Sequence, residues 1–186
     1  MEGTLPSMNE LDSAEATLDV LQRVLHGITA DDLSRQTPCR EFDVAGLTDH
    51  LLTSITLIGS AAGAQLPDRD RQASVEDQVT SAARPAVAAW RQRGVEGTVP
   101  FGEGEMPAVV MARILSMEFL VHAWDYARAT GQTVEVSDDA PELILKWSRA
   151  VLTPEGRIRA GFDDPIEVAD DAPALDRLLA FTGRQP

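Results

Sequence analysis

The sequence predicts an all-α fold, a bundle of helices with room for only minor β structure, and three observations carry that expectation. Apolar residues recur at alternating spacings of three and four through most of the chain. Prolines and turn formers gather between those stretches and separate helix from helix, the pattern of a bundle. Hydrophobic residues make up 44% of the 186 positions, enough for a single core and too many for bulk disorder.

The first stretch places Leu11, Ala14, Leu18, Leu21, Leu25 and Ile28 on one helical face, with Asp12, Glu15, Asp19, Gln22 and Arg23 off it, so a helix is expected over 9–28. Residues 1–8, with Gly3 and Pro6, read as a loose leader. Asp43 stands at an N-cap position before Val44, Leu47, Leu51, Ile55 and Ile58, which predicts a second helix over 44–63. A third follows Ser74 through Val75, Val79, Ala82, Ala86, Ala89 and Trp90. Pro85 lies inside that pattern and is expected to kink or break it.

Residues 94–107 hold four glycines and two prolines and read as a long loop or irregular hairpin, the expected wall of a substrate site. Pro107 then starts the strongest periodicity, Val110, Ile114, Met117, Val121 and Trp124, closed by Gly131, so a helix is expected over 107–130. Ser137 to Asp139 can cap a fifth helix through Leu143, Ile144, Trp147 and Val151. The region 156–186 is a C-terminal extension expected to sit on the bundle, with a small helix around 173–182. Short strands are expected near 98–101 and 166–168.

Charge and cysteine content narrow the function. Sixteen Lys+Arg stand against 30 Asp+Glu, a net charge of −14, which repels phosphate backbones and argues against nucleic acid. No run of eighteen apolar residues occurs, so no membrane span is expected. Cys39 is the single cysteine and cannot form an internal disulfide, and the start lacks a charged and then apolar leader, which favours the cytoplasm.

The fourth helix carries the chemistry. Beside its apolar stripe runs a second one, Met111, Leu115, Glu118, His122 and Asp125. A carboxylate next to Leu115 and Met111 is costly to bury without a proton or cation to compensate it. His122 lies one turn from Glu118, and His50 on the second helix sits at the margin of that helix's apolar face. Two imidazoles and a carboxylate would suit zinc or another first-row divalent ion and leave coordination positions open. Asp125 reads either as an acceptor behind His122 or as surface charge. Spacing alone leaves the plainer alternatives open, a core histidine and a surface ion pair. Cys39 reads as a nucleophile or, more simply, a small buried hydrophobe, and His26 as an exposed partner of the first helix's dipole.

Three blocks, TPCREFDVAGLTDHLL at 37–52, MEFLVHAWDYARATGQ at 117–132 and PALDRLLAFTGRQP at 173–186, resemble the DinB/YfiT-like superfamily, in the branch of the metal-binding domain of mycothiol-dependent maleylpyruvate isomerase. The resemblance implies a DinB-like four-helix bundle of up-down-down-up type with one metal-binding domain over 1–186. It implies a divalent metal, zinc first and nickel second, held by His50, Glu118 and His122, the trio reached from the stripes. Phe42 stands where a tryptophan is common. The implied activity is that of a metal-dependent enzyme activating a low-molecular-weight thiol of mycothiol type for S-transfer or isomerisation of an electrophilic substrate. A hydrolase using bound hydroxide and a non-enzymatic metal-binding or stress-related bundle are the alternatives. The acid or base is unassigned, with Asp125 and Cys39 the nearest candidates. Related bundles often pair into homodimers.

Overall fold

The computed structural model describes residues 8–39, 41–154, 157 and 162–186. Among them the elements are α1 (Glu10–His26), a 3₁₀ turn (Ala30–Asp32), α2 (Val44–Ala61), α3 (Val75–Arg93), β1 (Thr98–Phe101), β2 (Gly104–Pro107), α4 (Ala108–Thr130), α5 (Asp139–Val151) and α6 (Ala174–Phe181). The fold is mostly helical with one small sheet. Residues 1–7 of the leader expected over 1–8, and residues 156 and 158–161 of the expected C-terminal extension, lie outside the described residues.

The first three helices start where the sequence offers an acceptor for otherwise unpaired amides, whereas α4, α5 and α6 have no side-chain cap, so Ser137 to Asp139 do not cap α5 as expected. The Asn9 side chain takes the N–H groups of Leu11 and Asp12 in a capping box. Asp43 accepts from Gly46 at 2.7 Å, and Ser74 from Asp77 at 3.0 Å. Gly131, in the left-handed region at φ 73°, closes α4 by donating to the Ala127 carbonyl.

Four helices share the core. α1 packs on α4 and α3, and α2 packs on the same two, so each touches two neighbours around a common interior. Leu21 and Leu25, Leu47, Leu51 and Ile55, Trp90, Met111, Leu115 and Phe119 fill it, all fully buried. The Trp90 indole N–H finds the Ile58 carbonyl at 3.1 Å, so its polar atom is satisfied inside the core.

α3 runs unbroken through Pro85, against the expected break. Val79, Ala82, Ala83, Ala86 and Trp90 are buried on both sides of the proline. Their packing outweighs the one backbone hydrogen bond that proline cannot donate. The strand expected at 98–101 is present. It pairs antiparallel with β2, Thr98 opposite Pro107 and Phe101 opposite Gly104, across a two-residue turn. Residues 166–168 are not a strand: the Ile166 N–H donates to Ala180 at the end of α6 and has no sheet neighbour. His26 is exposed as expected, and its Nδ1 lies 2.8 Å from Glu76 Oε2 of α3, a side-chain hydrogen bond between helices.

The C-terminal region is tied down by arginines. Arg157 is buried, gives an N–H to the Phe181 carbonyl at 2.7 Å and lies over the Phe181 ring. α6 packs on α5, and α5 on α4. Beyond α6 the chain turns at Gly183, whose φ of 82° and approach to Asp163 leave no space for a side chain: a Cβ there would lie 2.5 Å from that of Asp163. That turn carries Arg184 inward. No helix among the described residues is long and apolar enough to cross a membrane.

Candidate metal centre

α4 presents Glu118, His122 and Asp125 on one stripe because the spacings of four and three set each about one turn beyond the one before it. α2 supplies His50 from across the interface. The structure brings three of the expected groups together: ligand atoms of His50, Glu118 and His122 all lie within 4.8 Å of one another. Glu118 Oε2 is 3.6 Å from His122 Nε2 and 3.8 Å from His50 Nε2, and the two rings meet edge to face with centroids 5.2 Å apart.

The carboxylate is the informative group. Glu118 Oε2 is buried and no hydrogen bond reaches it. A buried charged oxygen without a partner is among the costlier arrangements in a protein. Here two imidazole nitrogens point at it from distances too long for hydrogen bonds but suited to flank a shared cation. Donor types and convergence therefore fit a divalent ion with nitrogen and oxygen ligands.

The ring positions are set from behind. His122 Nδ1 lies 2.9 Å from Asp125 Oδ2. Asp125 is fully buried and receives Arg184 at two points, Nη2 to Oδ2 at 2.8 Å and Nε to Oδ1 at 3.1 Å. A proton on Nδ1, held by Asp125, leaves Nε2 facing Glu118. His50 is oriented differently: Phe42 stacks on its ring, centroids 5.1 Å apart and planes 21° from parallel.

Electrostatics follow from these contacts. Burial opposes the charged form of His122, yet Asp125 and Glu118 overcome it and raise the imidazole to about 9. Burial would raise the Glu118 carboxyl, but the cationic His122 and the neighbouring His50 hold it below its ordinary value. His50 is lowered, chiefly by burial. Without a metal the centre therefore carries a proton on His122, a carboxylate at Glu118 and a neutral His50 at neutral pH.

Asp125 is thus no surface charge; it is the acceptor behind His122. Its carboxylate is committed to His122 and Arg184 and does not join the trio. Cys39 stands outside the trio too, half-buried, its thiol pushed up to about 11 chiefly by burial. A thiol so weakly acidic is a poor nucleophile at neutral pH, which agrees with the plainer reading of this residue.

A cavity of about 660 Å³ opens in front of the trio, a size suited to a small molecule. Its described walls come from Pro38, Cys39, Glu41 and Phe42, from α4 and α5, and from Phe162, Asp163, Gly183 and Arg184. The stretch 94–107, expected as its wall, contributes none of the described lining. The hairpin ties those residues to each other and, through the Ala108 N–H donating to Gly97, to the start of α4.

Sequence reasoning missed Arg184, the stacking role of Phe42, and the wall supplied by α5 and Phe162. Arg184 stood in view inside the block 173–186, a cation in a mostly apolar segment; nothing local tied it to a residue 59 positions away.

Over 183 residues, 95% of this chain and 98% of theirs, the chain is 28% identical to two Mycobacterium tuberculosis proteins. These are Uncharacterized protein Rv0738 of strain ATCC 25618 / H37Rv and Uncharacterized protein MT0763 of strain CDC 1551 / Oshkosh. No solved structure matches significantly. The model of the mycothiol maleylpyruvate isomerase N-terminal domain matches residues 14–127, a span that holds His50, Glu118, His122 and Asp125 on the helices described above. On that match the chain belongs to the mycothiol maleylpyruvate isomerase N-terminal domain family, within the DinB-like superfamily.

Proposed function

We propose that the protein holds one divalent ion, zinc first and nickel second, between His50, Glu118 and His122, and uses it to activate a low-molecular-weight thiol of mycothiol type for S-transfer or isomerisation. The observation that carries the reading is the buried, unpartnered Glu118 oxygen flanked by two imidazole nitrogens. Three protein donors leave coordination positions for a small molecule, the arrangement of catalytic rather than structural sites. Among the described residues no fourth His, Cys, Asp or Glu joins the group, which disfavours a closed structural centre.

When bound, the ion supplies Lewis acidity that brings the pKa of a thiol into the neutral range. The chain's own residues do the rest. Asp125 keeps the His122 proton on Nδ1, and Arg184 fixes Asp125. Phe42 sets the His50 ring, and the cavity walls hold the substrate and limit access of water.

The experiment compares consumption of mycothiol, with an electrophile present, by zinc-loaded and chelated protein. Turnover that needs both metal and thiol supports the reading. Ester hydrolysis that proceeds without thiol would instead make water the activated molecule.

A further inference from the structure

Glu118 and His122 share α4, so one helix sets their spacing. His50 comes from α2, and its 3.8 Å approach to Glu118 depends on where α2 sits along α4. Ligand distances at a divalent centre are held to about 0.2 Å, whereas one residue of slip along a helix is about 1.5 Å. Apolar contacts lack direction and fix such a setting less sharply than a buried polar pair does.

The α2–α4 interface holds such a pair. Thr48 Oγ1 lies 3.0 Å from the Tyr126 hydroxyl oxygen, and both residues are buried. Thr48 donates its one hydroxyl proton to the Val44 carbonyl at 2.8 Å, so between the two the phenol donates and Thr48 accepts. Tyr126 stands about one turn beyond His122 on α4. Thr48 stands two residues before His50 on α2, about 3 Å of rise away. The bond therefore ties the two helices together beside both histidines.

Stability as such does not require it, because phenylalanine against valine would have nearly the same shape and no hydroxyl to satisfy. What the hydroxyls add is direction: another setting of α2 leaves a buried phenol without its acceptor.

We propose that Thr48 and Tyr126 are a positioning pair, whose hydrogen bond pins α2 against α4 at the setting in which His50 meets Glu118 and His122. The proposal rests on the metal reading above and assigns what aligns its third ligand.

The test measures zinc affinity, by competition with a chromophoric chelator, and the urea midpoint of the full chain in Tyr126→Phe, Thr48→Val and the variant carrying both. Thr17→Val is the control: that hydroxyl is buried on α1, bonded to the Ser13 carbonyl at 2.8 Å, and belongs neither to the trio nor to the described chamber lining. Each single change at the pair is expected to weaken zinc about tenfold, and both together no more than the worse single change, since the same bond is lost. The midpoint should behave differently. Thr48→Val, which strands the phenol, lowers it most, and adding Tyr126→Phe restores most of that loss. A double variant that regains the midpoint but not the affinity supports the pin. Affinity that returns with the midpoint, or an equal loss of affinity in Thr17→Val, would overturn it. Failure of the metal reading shows separately, as an unaltered chain that takes up no zinc. The pair is then read in chelated protein from the ring resonances of the three histidines. His50 should shift in the double variant while exposed His26 stays fixed, and an unmoved His50 would overturn the proposal.

Discussion

Arg184 and Asp125, 59 residues apart in the chain, meet in a buried two-point ion pair, and the same Asp125 oxygen that receives Arg184 Nη2 faces His122 Nδ1. The last residues of the C-terminal region therefore fix the orientation of a histidine in the middle of the bundle. A buried charge left without its partner is far more costly than the pair is favourable.

Arg184→Ala is expected to destabilise the protein by about 3–5 kcal/mol and to weaken metal binding by roughly 10–100-fold, because His122 loses its fixed support. Arg184→Lys keeps the charge but not the fork and should fall between. Denaturant midpoints and zinc affinity of the two variants check this. Stability close to that of the unaltered protein would mean that the pair contributes little.

Metal uptake at about pH 7.5 should release about one proton per ion, since the raised His122 must give up its Nε2 proton while His50 and Glu118 have none to lose. Calorimetry in buffers of different ionisation enthalpy measures that number. Release of none would place the ion elsewhere.

Stability of the metal-free protein should depend on pH in a defined direction. His122, raised to about 9 from an ordinary 6.5, contributes stability that is complete below 6.5 and lost as pH climbs through 9. Glu118 and Asp125 sit below their ordinary 4.5 and 3.8, so their contribution is present above those values and is lost as acid protonates them. The melting temperature of chelated protein should be highest between these limits and fall on both sides. Thermal melts across the pH range check it, and a steady rise from pH 6.5 to 9 would contradict it.

Chelation should lower the melting temperature by on the order of 10 °C without unfolding the chain. Leu21, Leu51, Trp90 and Phe119 form a core that does not need the ion. Loss of helical circular dichroism on adding chelator at room temperature would make the ion a structural element.

Much of this was legible in the sequence because it is local. The stripe from Met111 to Asp125 repeats at helical spacing, so Glu118 and His122 could be placed side by side from the chain alone. His50 needed one further step, the expectation that two amphipathic faces meet. Arg184 was out of reach of any such rule, since no periodicity connects it to Asp125. Pro85 misled because the local cost of proline is visible in sequence, while the burial of Val79, Ala83 and Trp90 that offsets it is a tertiary fact. The stretch 94–107 was legible as a hairpin, but not its place: its glycines mark the turn between Thr98 and Pro107, while nothing local shows that it stands away from the cavity instead of forming its wall.

Elemental analysis of the zinc-loaded and desalted protein tests the central claim most directly. The unaltered chain should carry about one ion, and His50→Ala and His122→Ala should carry almost none while keeping their helical circular dichroism. An unaltered chain that emerges without metal, or a His122→Ala variant that retains a full equivalent, would contradict it.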